Sequence, residues 1–109
     1  MIFDIEVSEQ ADADLRSIYE YIAFDLQSPD NARGQLFRLE KSILSLEQIP
    51  ERFHSYKKEQ WESRGLRMMP VDNYCVLYIL DIEQANVSII RVMYGGRDID
   101  SQLKKYTKQ

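Results

Sequence analysis

The sequence predicts an α+β fold in which a two-helix hairpin packs on a four-stranded antiparallel sheet. Residues 2–7 alternate apolar and polar side chains, which is typical of a half-buried strand. Two apolar stripes at helical spacing then occupy residues 11–46, and three short β-forming segments separated by turns occupy residues 66–94. The expected order is therefore strand, helix, helix and three strands, with a short final helix possible beyond Asp98.

The length and composition indicate a single domain spanning residues 1–109. Cys75 is the only cysteine, so no intrachain disulfide can form, which suits a reducing compartment. No stretch approaches the roughly 20 apolar residues that span a bilayer, and the N-terminus lacks the features of a signal peptide. We therefore expect no association with a membrane.

The net charge of −4 is unevenly distributed along the chain. Residues 1–51 carry eleven acidic and four basic side chains, a net of −7, whereas residues 52–109 carry seven acidic and ten basic ones, a net of +3. One interpretation is that a polyanionic partner meets the second half of the chain. The other is a solvated acidic helix pair beside a mildly basic sheet, and composition does not separate the two.

The two helices are predicted from capping residues and apolar spacing. The first begins after Ser8, whose side chain can cap it, and its stripe consists of Ala11, Leu15, Ile18, Ile22 and Leu26. Ser28 and Pro29 open the second, because proline is favoured at the first helical position. Its stripe consists of Ala32, Leu36, Leu39, Ile43 and Leu46. The short connection between the stripes predicts antiparallel helices.

Residues 51–64 are polar and are predicted to form an irregular connection. Phe53, Tyr56 and Trp61 interrupt it and either fold back over the core as lids or contact a partner. His54 is expected to face solvent, since a lone histidine cannot build a histidine-rich metal site.

The three later strands are joined by turns and are expected over residues 66–71, 74–80 and 87–94. Asp72 and Asn73 form the first turn. Pro70 lacks an N–H group, which favours the edge of the sheet for its strand. Residues 2–7 must join the same sheet, because a lone strand would leave its backbone groups unpaired. The helices then cover one face, and a site could form on the other, partly open face.

Common catalytic and cofactor signatures are absent from the sequence, which has no phosphate loop, dinucleotide fingerprint, Cys-x-x-Cys or His-Glu-x-x-His. We therefore expect no cofactor and no bound metal. Cys75 lies within a predicted central strand, and this favours a buried structural thiol over a reactive nucleophile.

Residues 91–98 are the strongest candidate for a functional site. Gly95 and Gly96 allow a sharp turn after the last strand and can present Arg97, whose planar guanidinium suits phosphate. The alternative is an ordinary turn in which Arg97 pairs with a nearby carboxylate, Asp98 or Asp100.

Two further residues are candidates for the same site. Arg67, on the first of the three later strands, approaches Arg97 if the strand register allows. Tyr94 could stack on a base or polarise a hydroxyl group.

Three segments, taken together and in order, resemble the RelE/ParE superfamily of bacterial toxin–antitoxin toxins. They are the helical hairpin with LRSIYEYIA and SPDNA, the segment RMMPVDNYCVLY, and the segment IIRVMYGGRD. The resemblance implies a small cytoplasmic toxin that inhibits growth until a cognate antitoxin neutralises it in a complex of the two proteins.

The resemblance leaves two kinds of target open. RelE-like members cleave messenger RNA, usually on the ribosome, and use basic strand residues, an arginine near the end of the last strand and a C-terminal tyrosine or histidine. Arg97 matches that arginine, Arg67 lies near the basic strand positions, and Tyr94 is a candidate for the final acid. ParE-like members instead poison DNA gyrase.

Two positions favour the ParE-like alternative. Cys75 and Met68 stand where RelE-like nucleases tend to have basic residues. DNA gyrase is therefore the favoured target, and a ParE-like toxin of this kind would not be an enzyme. The alternatives are a ribosome-dependent mRNA endoribonuclease with Arg97, Arg67 and Tyr94 as catalytic residues, or a non-toxic remnant that still binds its antitoxin.

Overall fold

The computed structural model describes residues 2–55, 64–95 and Ile99, and it has the predicted order of elements. The elements are β1 (Asp4–Val7), α1 (Glu9–Glu20), a π-helical turn (Tyr21–Asp25), α2 (Pro29–Leu44), two 3-10 turns (Ser45–Glu47 and Pro50–Arg52), β2 (Leu66–Val71), β3 (Tyr74–Asp81) and β4 (Asn86–Tyr94). The short helix expected beyond Asp98 lies outside the described residues, as do Tyr56 and Trp61. No helix of the described part is long and apolar enough to cross a membrane.

The four strands form one sheet in the order β1-β4-β3-β2. β2, β3 and β4 make the predicted antiparallel meander, whereas β1 pairs with β4 in parallel, so the sheet is mixed and not wholly antiparallel. The route of the helices explains the difference. α1 continues along β4 in the direction of β1, and α2 returns the chain to its starting end, where the Phe3 N–H donates to the Glu47 carbonyl. β2 therefore starts at the same end of the sheet as β1, although at the opposite edge, and two hairpin turns leave β4 parallel to β1.

Ser8 both caps α1, as predicted, and extends the pairing of β1. Its hydroxyl accepts from the Ala11 N–H at 3.0 Å and donates to the Ile90 carbonyl at 3.1 Å. Pro29 occupies the start of α2 as predicted, but Ser28 makes no capping bond to the backbone. Its hydroxyl accepts instead from the Asn31 side-chain amide, which competes for the same oxygen.

The π-helical turn corrects the predicted end of the first stripe. The Leu26 N–H donates to the Tyr21 carbonyl, five residues back, so this turn holds one more residue than an α-helical turn. The extra residue rotates the following side chains away from the core. Ala23 is consequently buried and Leu26, which was expected on the buried stripe, is 55% exposed.

The main core lies between the helices and one face of the sheet. It joins the helical stripes to alternate strand residues, including Leu39, Leu46, Met69, Val76, Tyr78 and Ile89. Phe53 packs against this core, which supports the lid alternative for this residue. His54 is exposed, as predicted. A tight turn precedes β2 at Gly65, whose φ is +78°.

A second apolar cluster lies on the outer face of the sheet, which was expected to be partly open. Leu66, Leu77, Ile90 and Met93 are buried on the face away from the helices, and Ile99 packs against them. Ile90 is an extra residue in β4, because Leu77 pairs with Arg91 while Tyr78 pairs with Ile89. This bulge twists the last part of β4.

Candidate functional site: the end of the sheet where β4 finishes

Tyr94 lies at the end of β4, where the sheet meets the tip of the helical hairpin. It pairs with Tyr74, the first residue of β3, and their rings pack edge to face with centroids 6.0 Å apart. The Gly95 N–H donates to the Asn73 carbonyl at 2.8 Å, so the chain leaves β4 in contact with the β2–β3 turn. We call this end of the sheet, marked by Asn73, Tyr74, Tyr94 and Gly95, the exit end.

A third tyrosine reaches the exit end from the π-helical turn. Burial raises the pKa of the Tyr74 hydroxyl, and nearby Tyr21 and Tyr94 raise it further. Tyr21 and Tyr94 are 53% and 52% exposed. Tyr21, Tyr74 and Tyr94 therefore form a partly exposed aromatic patch, which suits contact with a macromolecule.

Arg97, the residue with the strongest family resemblance, lies outside the described residues. It follows Gly95 by two positions, and its role stays a prediction from the sequence.

The strand register does not bring Arg67 to the exit end. Arg67 pairs with Tyr78, whereas Tyr94 pairs with Tyr74, and four residues of β3 correspond to about 13 Å. The Arg67 guanidinium instead donates to the carbonyls of Glu51 and Phe53 at 3.1 and 2.6 Å. Within the protein, Arg67 thus holds the connection between α2 and β2 against the sheet.

Arg91 is a buried arginine that sequence analysis did not single out beyond its place in the candidate segment. Its Nε and Nη2 atoms bind the two carboxylate oxygens of Asp14 on α1 at 2.7 and 3.0 Å. The same carboxylate accepts from the Val92 N–H at 2.9 Å. The sequence did contain a sign of this ion pair, because Arg91 is a charged residue between Ile90 and Val92 in an apolar strand. A buried charge requires a partner.

A second polar network near the exit end was also missed. The Asp72 carboxylate, in the β2–β3 turn, accepts from the Gln35 side-chain amide at 3.0 Å and from Arg38 Nε at 2.8 Å. The hydrogen bond from Arg38 lowers the pKa of Asp72 most, and the hydrogen bond from Gln35 lowers it further. The signal was Gln35 itself, a polar residue on the buried face of α2 between Ala32 and Leu39.

The outer face of the sheet offers little chemistry among the described residues. Met68 packs against the outer apolar cluster, and Cys75 is half-buried there. Burial raises the pKa of the Cys75 thiol, which favours the unreactive protonated form over a nucleophile. Within residues 2–55 and 64–95, no group of His, Cys, Asp and Glu side chains could hold a metal ion.

The fold is that of the RelE and ParE toxins. The structure of the chromosomal ParDE system from P. aeruginosa is 17% identical, with a TM-score of 0.69 over 85% of this chain and 96% of that chain. E. coli RelE, solved as a mutant in its free state, is 15% identical, with a TM-score of 0.66 over 96% and 98%. The RelBE2 toxin-antitoxin complex from Mycobacterium tuberculosis is 20% identical, with a TM-score of 0.61 over 86% and 92%.

Identities this low establish the fold alone, and the family follows from the sequence. Residues 5–99 match the family model of the ParE toxin of the type II toxin-antitoxin system parDE. Comparison with curated proteins gives no match. The chain belongs to the ParE toxin family of type II toxin–antitoxin systems.

Proposed function

We propose that this ParE-family toxin arrests growth by binding DNA gyrase, without catalysing a reaction itself. One observation carries the proposal. Arg67 and Arg91, the two arginines of the described strands, both bind acceptors within the protein. This proposal implies that the toxin acts in the cytoplasm.

The chemistry of RNA cleavage explains why this observation matters. A nuclease must activate the 2′-hydroxyl, stabilise negative charge on the phosphate and protonate the leaving oxygen. Cations directed at solvent from the sheet would supply these functions. The described strands direct Leu66, Met68, Leu77, Ile90 and Met93 to the outer face instead.

The aromatic patch at the exit end is the proposed contact with gyrase. Exposed tyrosines supply a large contact area and a hydroxyl group at low entropic cost, and they are enriched where proteins bind one another. Arg97, which follows in the chain, is proposed to add a positive charge to this contact.

The experiment compares gyrase and messenger RNA as targets of the same protein. Purified toxin is expected to inhibit gyrase supercoiling and to trap cleaved DNA, and its expression is expected to leave messenger RNA intact during growth arrest. Cleaved messenger RNA with unaffected gyrase would overturn the proposal and favour the ribosome-dependent endoribonuclease. Normal growth without antitoxin would favour the non-toxic remnant.

Variants at the exit end test the contact surface. Tyr94→Ala and Arg97→Ala are each expected to weaken gyrase inhibition about tenfold or more, as truncation of an interface anchor does. Ile82→Ala is the control, because Ile82 is 57% exposed in the β3–β4 turn at the opposite end of the sheet. Equal activity of Tyr94→Ala and Ile82→Ala would remove the aromatic patch from the contact.

For the antitoxin, we propose a docking site that includes the free edge of β1. The Asp4 and Ser8 N–H groups donate towards β4, whereas the Phe3 N–H donates away from it. The backbone N–H groups of successive residues in a strand point to opposite sides of the strand. Those of Ile5 and Val7 therefore point away from β4. Of the described strands only β4 pairs with β1, so this edge can accept an added strand.

The opposite edge is less suited to strand addition. The Met68 N–H of β2 donates to the His54 carbonyl, and Ser55 pairs with Arg67. Pro70, at the next outward position, has no N–H to donate. The edge of β2 is therefore partly covered and partly unable to pair.

Val7→Pro tests the β1 edge by removing one outward N–H group, and Val7→Thr is the control that keeps it. We expect Val7→Pro to bind the antitoxin about tenfold more weakly, through a lost hydrogen bond and a steric clash at the edge. Equal affinities of two folded variants would place the antitoxin elsewhere. The acidic first half further predicts basic residues in the antitoxin segment that touches the helices.

A further inference from the structure

Two polar networks connect the helical hairpin to the same few residues at the end of β4. Gln35 and Arg91 are the buried polar or charged side chains of the described chain. Arg91 is bound by Asp14, whose carboxylate also holds the Val92 N–H. Gln35 is bound to Asp72, next to the turn residue that accepts the Gly95 N–H. One network starts from α1 and reaches Arg91 and Val92 of β4. The other starts from α2 and leads through the β2–β3 turn to Gly95, directly after β4.

The α2 network forms a continuous series of contacts. Gln35 and Arg38 hold the Asp72 carboxylate from the side of the helix. Asp72 is followed directly by Asn73, whose carbonyl accepts the Gly95 N–H at 2.8 Å. Tyr74 comes next and packs against the ring of Tyr94. The β2–β3 turn therefore links α2 to Tyr94 and Gly95 at the end of β4.

The backbone conformation of Asp72 indicates that the carboxylate has a role beyond forming the β2–β3 turn. Its φ is +55°, in the left-handed region, which glycine adopts at lower cost than aspartate. A turn alone would therefore be better served by glycine. The carboxylate instead binds two donors of α2, and one of these, Gln35, would be left buried without its partner if the carboxylate were removed.

We propose that Asp72 is a positioning residue, which with Gln35 and Arg38 holds Tyr94 and Gly95 in the arrangement that contacts the target. This inference rests on the proposal that the exit end is the contact surface. Asp72 does not itself touch the target. It acts through Asn73, which holds Gly95.

Asp72→Gly separates this role from the stability of the turn. Glycine accepts the positive φ without strain, so the variant loses the carboxylate while the turn keeps its favoured backbone. Arg38→Met breaks the same contact from α2 and keeps a long apolar side chain. Arg33→Met is the matched control, because Arg33 is an exposed arginine of the same helix that pairs with Asp30.

Hydrogen exchange of the Gly95 amide is the local readout. Asp72→Gly is expected to speed its exchange about tenfold, because it also leaves the buried Gln35 without its partner. Arg38→Met is expected to speed it about threefold, because the Arg38–Asp72 pair is half exposed. The Asp4 amide, which donates to the Ala85 carbonyl at the other end of the sheet, is expected to exchange unchanged. A general loss of stability would speed both amides, and this outcome would overturn the inference.

Growth arrest is the functional readout, and it does not depend on knowing the target. Asp72→Gly is expected to lower toxicity about tenfold and Arg38→Met about threefold. The double variant is expected to be no less toxic than Asp72→Gly, since the loss of Asp72 already removes the contact with Arg38. Arg33→Met is expected to stay fully toxic. Loss of toxicity in Arg38→Met alone would mean that Arg38 touches the target directly, and retained toxicity in both variants would likewise overturn the inference. If gyrase is unaffected by the wild-type protein, the proposed function fails, while the exchange and growth results still decide this inference.

Discussion

Arg91 and Asp14 form a two-pronged ion pair between β4 and α1, with Nε to Oδ2 at 2.7 Å and Nη2 to Oδ1 at 3.0 Å. Their side chains are only 11% and 13% exposed. The pair lies just beyond the point where β1 stops pairing with β4. There the Asp14 carboxylate accepts the Val92 N–H, a backbone group of β4 that β1 does not reach.

Asp14→Asn is expected to destabilise the protein strongly. The substitution leaves the buried guanidinium of Arg91 without a counter-charge, which costs about 3–5 kcal/mol. Asp12→Asn is the control, because the Asp12–Arg16 pair on the same helix is mostly exposed and contributes about 0.5 kcal/mol. Denaturant unfolding measures both free energies. Similar losses of unfolding free energy in the two variants would show that burial does not make the Asp14–Arg91 pair more stabilising than the exposed pair.

Two glycines are expected to respond oppositely to alanine. Gly65 has φ +78°, and an added Cβ would lie 2.9 Å from the Leu80 carbonyl oxygen, so Gly65→Ala should destabilise the protein by about 1–3 kcal/mol. Gly34 lies inside α2, where an added Cβ would meet only the flexible end of Arg38 at 3.3 Å. Gly34→Ala should therefore stabilise by about 0.5–1 kcal/mol. Thermal unfolding distinguishes the signs, and a stabilising Gly65→Ala would contradict the assigned turn.

The elements of the fold could be predicted because each buries one face. The helical stripes through Leu15 and Leu39 and the alternation in β2 and β3 are local patterns that burial imposes on the sequence. The parallel pairing of β1 with β4 was not predictable in the same way. It depends on the path of α1 and α2 through space. The exposure of Leu26 depends on a π-helical turn, which leaves no distinct apolar period.

The candidate site was less predictable than the fold, since its contacts join distant parts of the chain. Arg91 and Asp14 are 77 residues apart, and Gln35 and Asp72 are 37 apart. A sequence marks each residue as unusual for its position but does not identify its partner. For Arg67, the residue type suggested a phosphate contact. In the structure its guanidinium instead binds the Glu51 and Phe53 carbonyls, which the sequence could not reveal.

The stability of the protein is expected to fall between about pH 10 and pH 12 through Tyr78. Burial raises the pKa of this hydroxyl to about 12, and nearby Arg67 and Arg52 offset this only in part. The hydroxyl donates to the Pro50 carbonyl at 2.5 Å. In the unfolded chain tyrosine ionises near pH 10, so the stabilisation is complete below about pH 10 and is lost as the pH rises towards 12.

Tyr78→Phe is the matched variant for this pH dependence. It removes the hydroxyl and leaves the Pro50 carbonyl unpaired, which costs about 1–3 kcal/mol at neutral pH. Its unfolding free energy should fall less steeply than that of the wild type between pH 10 and 12. Parallel pH profiles of the two proteins would mean that Tyr78 does not titrate differently on folding.

Arg67→Met is expected to lower stability without lowering the toxicity of the folded protein. The variant loses the bonds to the Glu51 and Phe53 carbonyls, at a cost of about 1–3 kcal/mol. Arg52→Met is the matched control, because Arg52 also donates to carbonyls of the connection after α2, among them Gln48 at 2.8 Å. Growth arrest measured at a temperature where both variants are fully folded should be equal and undiminished. Loss of toxicity in Arg67→Met alone would mean that the Arg67 guanidinium acts on the target, as the endoribonuclease alternative requires.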